Sequence, residues 1–254
     1  MTQVDAAPDY LDRPGRPRLA CRHVAGAAPT IVFLPGYMSD MAGGKATALF
    51  DWAAAEGQAC LLLDYAGCGL SEGLFAEQDL LDWRGDVLDL IDAKGDGPVI
   101  IVGSSMGGWL MLLTALALVQ RDGPGRVAGL VGIAAAPDFT DWGFTDAEKA
   151  IILAEGELRE DTPYGDQPYV TTRGFFQSGE ANRLLGGSIA LACPVRLLHG
   201  EQDGDVPPEI SLRLSAALVS ADVQVTLVKG GDHRLSRDTD IALLIDTVAR
   251  LAAP

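Results

Sequence analysis

Short, unbroken apolar runs alternate along the chain with longer stretches in which apolar residues return every three or four positions. The runs are TIVFL (30–34), ACLLLD (59–64), PVIIVG (98–103), VAGLVGIAA (127–135), PVRLLHG (194–200) and VQVTLVKG (223–230). A run with no polar alternation has no face to offer water, so each predicts a strand covered on both sides in a mostly parallel sheet. The stretches 41–56, 79–94, 105–120, 207–219 and 237–252 predict helices. In 79–94, Leu80, Leu81, Val87, Leu88 and Ile91 follow helical spacing with acids between them. YLDR and RLACRHV flank a Pro/Gly turn at 14–17 and predict an opening hairpin. The pattern describes one α/β domain over residues 1–254, with an eight-stranded, mostly parallel sheet flanked by helices and right-handed crossovers.

One segment breaks the rhythm. The connection from Ala135 to Pro194 is far longer than the usual few residues. It carries Phe139, Trp142, Phe144, Tyr164, Tyr169, Phe175 and Phe176, and TDAEKAIILAEGELRE (145–160) within it reads as a helix. Residues 137–192 are therefore expected to form a cap over a site.

Composition narrows the partners. The 254 residues carry a formal charge of −16, a surface that repels nucleic acid and anionic lipid. No apolar stretch approaches the roughly 20 residues of a membrane span. The N-terminal MTQVDAAPDYLDRPGR has neither a basic start nor an apolar core, so a cytoplasmic location is expected. There Cys21, Cys60, Cys68 and Cys193, none in a CxxC pair, would be free thiols. No His/Cys spacing suits zinc, and neither a metal nor a cofactor is expected.

The chemistry centres on Gly103-Ser104-Ser105-Met106-Gly107, a G-x-S-x-G turn between a predicted strand and a predicted helix. That context makes Ser105 a candidate nucleophile held above the sheet edge. A serine hydroxyl needs a base, and the base an orienting carboxylate, here in the order serine, acid, histidine. Of the three histidines, His23 precedes the turn and reads as structural. His199 ends the run PVRLLHG and is expected to hold the next loop. His233, in VKGGDHRLS, opens on the same sheet edge as the turn and is the expected base. Asp203 is the first choice of acid, Asp205 the fallback, and Glu201 a solvated neighbour. The oxyanion is expected to rest on the backbone N–H groups of Met106 and of Tyr37, which follows Pro35-Gly36. Trp109, Trp142, Phe144 and Phe175 are the expected walls of an apolar substrate pocket. Cys68, between two glycines in DYAGCGLSEG, lacks the strand-to-helix turn and is not expected to react.

The segments FLPGYMSDM with GKA, DYAGCGLSEG, WRGDVLDLID, GPVIIVGSSMGGWLML, CPVRLLHGEQDGDVP and DHRLS carry a resemblance. Through them the chain resembles the α/β-hydrolase superfamily over essentially its whole length. Within it the chain is most similar to palmitoyl-protein thioesterases also described as acyl-glucuronide esterases. The resemblance implies Ser105, Asp203 and His233 as a catalytic triad, no cofactor, and hydrolysis of thioesters or activated esters. No similarity is read within 137–190. The expected partner is a small-molecule or acylated-protein substrate. A general carboxylesterase, or a non-catalytic ligand-binding protein on the same fold, are the competing readings.

Overall fold

The apolar runs assemble into one sheet in a computed structural model that describes residues 7–95, 97–162 and 168–253. In chain order the first elements are β1 (Asp9–Leu11), β2 (Leu19–Val24), β3 (Ala27–Leu34), α1 (Gly44–Glu56), β4 (Gln58–Leu63), α2 (Leu80–Lys94), β5 (Val99–Ser104), α3 (Met106–Asp122) and β6 (Val127–Ile133). The long connection then forms α4 (Phe139–Trp142), α5 (Asp146–Glu155), β7 (Glu157–Glu160), β8 (Tyr169–Thr172) and α6 (Arg173–Ala181). The chain returns to the sheet with β9 (Val195–Gly200), α7 (Glu209–Ala217), β10 (Val223–Val228) and α8 (Asp238–Ala252).

The eight-stranded sheet has the order β1-β2-β4-β3-β5-β6-β9-β10. β1 pairs β2, and β2 pairs β4, antiparallel; every other neighbour pair is parallel. Successive residues of a central strand enter opposite cores, which is why the runs are continuously apolar. Ile101 of β5 joins Val32, Leu61 and Leu130 under α2 and α3. Its neighbours Ile100 and Val102 join Phe50, Leu244 and Val248, from α1 and α8. The chain leaves β3 toward β4 on one side, while β5 lies on the other. The loops after β3 and β5 therefore diverge over a crevice at the carboxyl edge, where α/β sheets bind ligands.

Two expectations are corrected here. The run 223–230 is not covered on both faces: Gln224, Thr226 and Leu227 are exposed, and β10 is an edge strand with only β9 beside it. The reading of 145–160 as one helix also fails. α5 stops at Glu155 because Gly156 turns into the left-handed region at φ 99 and returns its N–H to Ile152 O, as glycines do at helix ends. The remaining ELRE becomes β7, which pairs antiparallel with β8. No helix among the described residues is long and apolar enough to cross a membrane.

Candidate active site

β5 delivers Ser105 to the crevice. The serine sits at φ 54, ψ −121, directly before α3, a conformation L residues avoid unless surrounding contacts impose it. Those contacts are on either side. Ser105 N–H donates to Ile133 O at 2.9 Å, and Ser105 O accepts from Gly108 N at 2.8 Å and Ala136 N at 3.0 Å. The turn also needs close backbone approach. A Cβ at Gly107 would lie well inside van der Waals contact of Leu34 O and Pro35 O. Gly107→Ala is accordingly expected to destabilise the fold by about 3 kcal/mol, read as a lower urea midpoint with an unchanged slope.

Ser105 Oγ lies 3.1 Å from His233 Nε2, and His233 Nδ1 lies 2.9 Å from Asp203 Oδ2. The Asp203 side chain is fully buried, and that of His233 is 15% exposed. Burial alone would raise the Asp203 pKa. Hydrogen bonds from His199, His233 and the Val206 N–H outweigh it and hold the carboxyl well below the usual carboxylate range. An ionised Asp203 only accepts, so His233 Nδ1 carries the proton, leaving Nε2 free to accept from the Ser105 hydroxyl. Asp205, the fallback acid, instead borders the crevice on the exposed side.

His199 holds the loop after β9, as expected, through Val206 O at 2.9 Å and Ser211 Oγ at 2.7 Å. It also approaches Asp203 Oδ2 at 3.2 Å, a contact the sequence reading missed. Asp203, Asp205 and His233 bring potential metal-ligand atoms within 4.8 Å of one another. Both Asp203 oxygens and both His233 nitrogens are already engaged in hydrogen bonds, so this donor set is poorly disposed to a cation.

The loop after β3 crosses directly over the serine: a Cβ at Gly36 would stand 3.3 Å from Ser105 Cβ. Tyr65 donates to Pro35 O at 3.0 Å, and Asp64 accepts the Met41 N–H at 2.7 Å, pinning both ends of the loop. Between them Tyr37 reaches outward. Its hydroxyl donates to Val170 O of β8 at 2.6 Å. Its ring lies among those of Phe75, Trp83, Phe139, Tyr169 and Phe175, with centroids 5.1–6.2 Å away. Met106 opens α3, where the first-turn N–H groups have no carbonyl partner within the helix.

Above Ser105 opens a cavity of about 550 Å³. Trp142 and Phe144 line it, together with Phe139 and Tyr169, two further aromatics of the 137–192 segment. Trp109 and Phe175 do not line it, which corrects their assignment as substrate contacts. Both are buried behind the wall. The Trp109 indole donates to Asn182 O at 3.2 Å, and each ring packs on Phe139. Tyr164 lies outside the described residues.

Lys45, at the start of α1, also borders the cavity. Its ammonium donates to Arg234 O, and burial together with the Arg234 charge lowers its pKa to about 8. Burial and the carboxylates of Asp64, Asp86 and Asp40 push the Cys68 thiol up to about 12. Burial likewise raises Cys21, takes Cys60 to about 12 and Cys193 to about 11.

Residues 31–247 match the model of the alpha/beta hydrolase family. The chain belongs to this family. Among α/β hydrolases it is similar to the human protein named palmitoyl-protein thioesterase ABHD10, mitochondrial. The two are 39% identical over 243 residues, covering 94% of this chain and 78% of the relative. The mouse protein of the same name is 40% identical over 247 residues, 96% and 82% of the two chains. The structure of mouse alpha/beta hydrolase domain-containing protein 10 superposes with a TM-score of 0.88 at 39% identity, covering 97% of this chain and 98% of the other. A crystal structure of a protein from Agrobacterium vitis S4 reaches 0.90 at 36% identity, with the same coverage. These names correct the cytoplasmic expectation: the matching relatives are themselves called mitochondrial. The N-terminal composition on which that expectation rested does not decide the compartment.

Proposed function

We propose that this α/β hydrolase is a serine hydrolase that cleaves thioesters or esters of apolar acyl groups through an acyl-enzyme on Ser105. The observation that carries the reading is the hydrogen-bonded path Ser105–His233–Asp203 at the base of an aromatic-walled cavity. Ser105 Oγ attacks the acyl carbonyl while its proton passes to His233 Nε2. The tetrahedral oxyanion rests on the N–H groups of Tyr37 and Met106, each donor contributing about 3 kcal/mol. His233 then gives its proton to the departing sulfur or oxygen as that bond breaks, and the acyl group stays on Ser105. Water repeats the sequence and releases the acid.

The volume of about 550 Å³ falls within the range of small-molecule sites. Phe139, Trp142, Phe144 and Tyr169 all come from 137–192, which acts in this reading as a cap that selects the acyl chain. The relatives' name, palmitoyl-protein thioesterase, favours long-chain thioesters over the small esters or acyl glucuronides of a general carboxylesterase.

The test pairs a fluorophosphonate label with a series of acyl thioesters and matched p-nitrophenyl esters. The label is expected on Ser105. Each added methylene is expected to raise kcat/KM about fourfold until the cavity is full, from about 0.8 kcal/mol per buried CH₂. Absence of labelling and turnover would favour a ligand-binding protein on this fold. A profile that falls with chain length would favour the small-ester reading.

A further inference from the structure

His199 is a buried titratable group that the mechanism above does not use. It lies next to the end of β9, with no exposed surface. Its Nε2 faces two oxygens, Val206 O at 2.9 Å and Asp203 Oδ2 at 3.2 Å. A carbonyl oxygen can only accept, and so can an ionised carboxylate, so Nε2 must carry the ring proton. Nδ1 is then bare, and the Ser211 hydroxyl, 2.7 Å away, donates to it. Ser211 is itself buried on the first turns of α7. One tautomer therefore satisfies every polar group around this imidazole, and the opposite one would turn a lone pair toward two oxygens.

The acid thus faces four donors, the His199 N–H being shared with Val206 O. Oδ1 accepts the N–H groups of Asp205 and Val206, each at 2.9 Å, and Oδ2 is shared by His233 and His199. With the side chain fully buried, the carboxylate plane is fixed from both edges. We infer that His199 is a positioning residue, a second imidazole that locks Asp203 in the plane needed by His233 and shares the charge of the same oxygen. This role rests on the proposed function of Asp203.

Sharing has a measurable sign. Donation by His199 draws charge from Oδ2 and weakens its hold on a protonated His233. Removal of that donor concentrates charge on Oδ2, stabilises the imidazolium, and moves the acid limb of the rate profile to higher pH. It also frees the carboxylate to rotate. Misplacement of this kind lowers turnover about 10²-fold. KM should change little, because neither His199 nor Asp203 lines the cavity. Among the described residues, the other charged groups that border the cavity with His233 or flank it in sequence are Asp40 from the β3–α1 loop, Lys45 from α1, Glu160 from β7, Asp205 from the β9–α7 loop, and Asp232 and Arg234. All are common to the variants below, so a difference between variants reads position 199.

The experiment measures kcat, KM, the pH profile and melting temperature for His199→Leu, His199→Gln and Ser211→Ala with a long-chain acyl thioester, with Ser105→Ala as reference. His199→Leu is expected to lose about 10²-fold in kcat, with KM within about twofold and the acid limb raised. His199→Gln offers an amide N–H near the position of Nε2 and is expected to recover at least about tenfold of that loss. Ser211→Ala, which leaves Nδ1 without its donor and loosens the ring, is expected to fall between wild type and His199→Leu. If His199→Leu does not fold, His199→Gln and Ser211→Ala carry the test: near-native turnover in the first and a raised limb in the second support the role. An unchanged limb in every folded variant overturns it, as does activity that merely tracks melting temperature. An inactive Ser105→Ala beside such unaltered profiles overturns the positioning role alone. An active Ser105→Ala overturns the parent reading as well.

Discussion

Ser105→Ala is expected to lower acyl-thioester turnover by about 10⁴-fold or more while leaving the fold intact. The substitution removes one oxygen and none of the backbone bonds that hold the turn. The Ser105 N–H still donates to Ile133 O, and the Ser105 carbonyl still accepts from Gly108 and Ala136. The strained φ of 54 persists in alanine, so melting temperature should move by no more than a few degrees. Substrate affinity should also survive, since Phe139, Trp142, Phe144 and Tyr169 remain in place around the cavity. Single-turnover assays with a long-chain thioester separate these quantities. Retention of more than about one per cent of wild-type turnover would be incompatible with an acyl-enzyme on this residue.

Asp203→Asn carries the second large effect, also about 10⁴-fold in kcat, by a different route. Oδ1 must go on accepting from Asp205 and Val206, so the amide nitrogen falls where Oδ2 was. There it meets His233 Nδ1 and the N–H of His199. His233 has to accept through Nδ1, its proton moves to Nε2, and the ring can no longer take the proton of Ser105. Stability should change as well, in a direction that depends on pH. The Asp203 pKa is depressed in the folded protein because hydrogen bonds from His199 and His233 outweigh its burial. Its contribution is therefore complete above the ordinary carboxylate range and is lost as pH falls through the folded value. The melting-temperature gap between wild type and Asp203→Asn should be widest near neutral pH and close in strong acid. A gap that does not vary with pH would mean the carboxylate is not held ionised by these contacts.

The parts of the molecule legible in sequence are those governed by short-range signals. Strands covered on both faces announce themselves as unbroken Val/Ile/Leu runs. The approach of Ser105, Asp203 and His233 follows because each sits on a loop leaving the same edge of one parallel sheet. Where neighbours distant in the chain decide, the sequence is silent. In VQVTLVKG, Gln224 and Thr226 alternate with Val223 and Val225, which signals an open face, but not that β10 would end the sheet with only β9 beside it. Nothing in the spacing of aromatics says which ring faces the cavity and which stands behind it. Phe139 faces inward, while Trp109 and Phe175 support it from the far side. The boundary between α5 and β7 rested on Gly156, inside an otherwise helical pattern. The contact of His199 with Asp203 arises only when the loop between them folds back so that Val206 O can reach the ring.

The four thiols have a practical consequence for labelling. Burial pushes Cys60 and Cys68 up to about 12, so very little of either thiol is in the nucleophilic thiolate form at neutral pH. Burial raises Cys193 to about 11, with the same consequence. Iodoacetamide or a maleimide applied at pH 7 should leave the native protein almost unmarked. An electrophile that acylates or phosphonylates it in seconds therefore reports on oxygen chemistry, without any cysteine having to be replaced first.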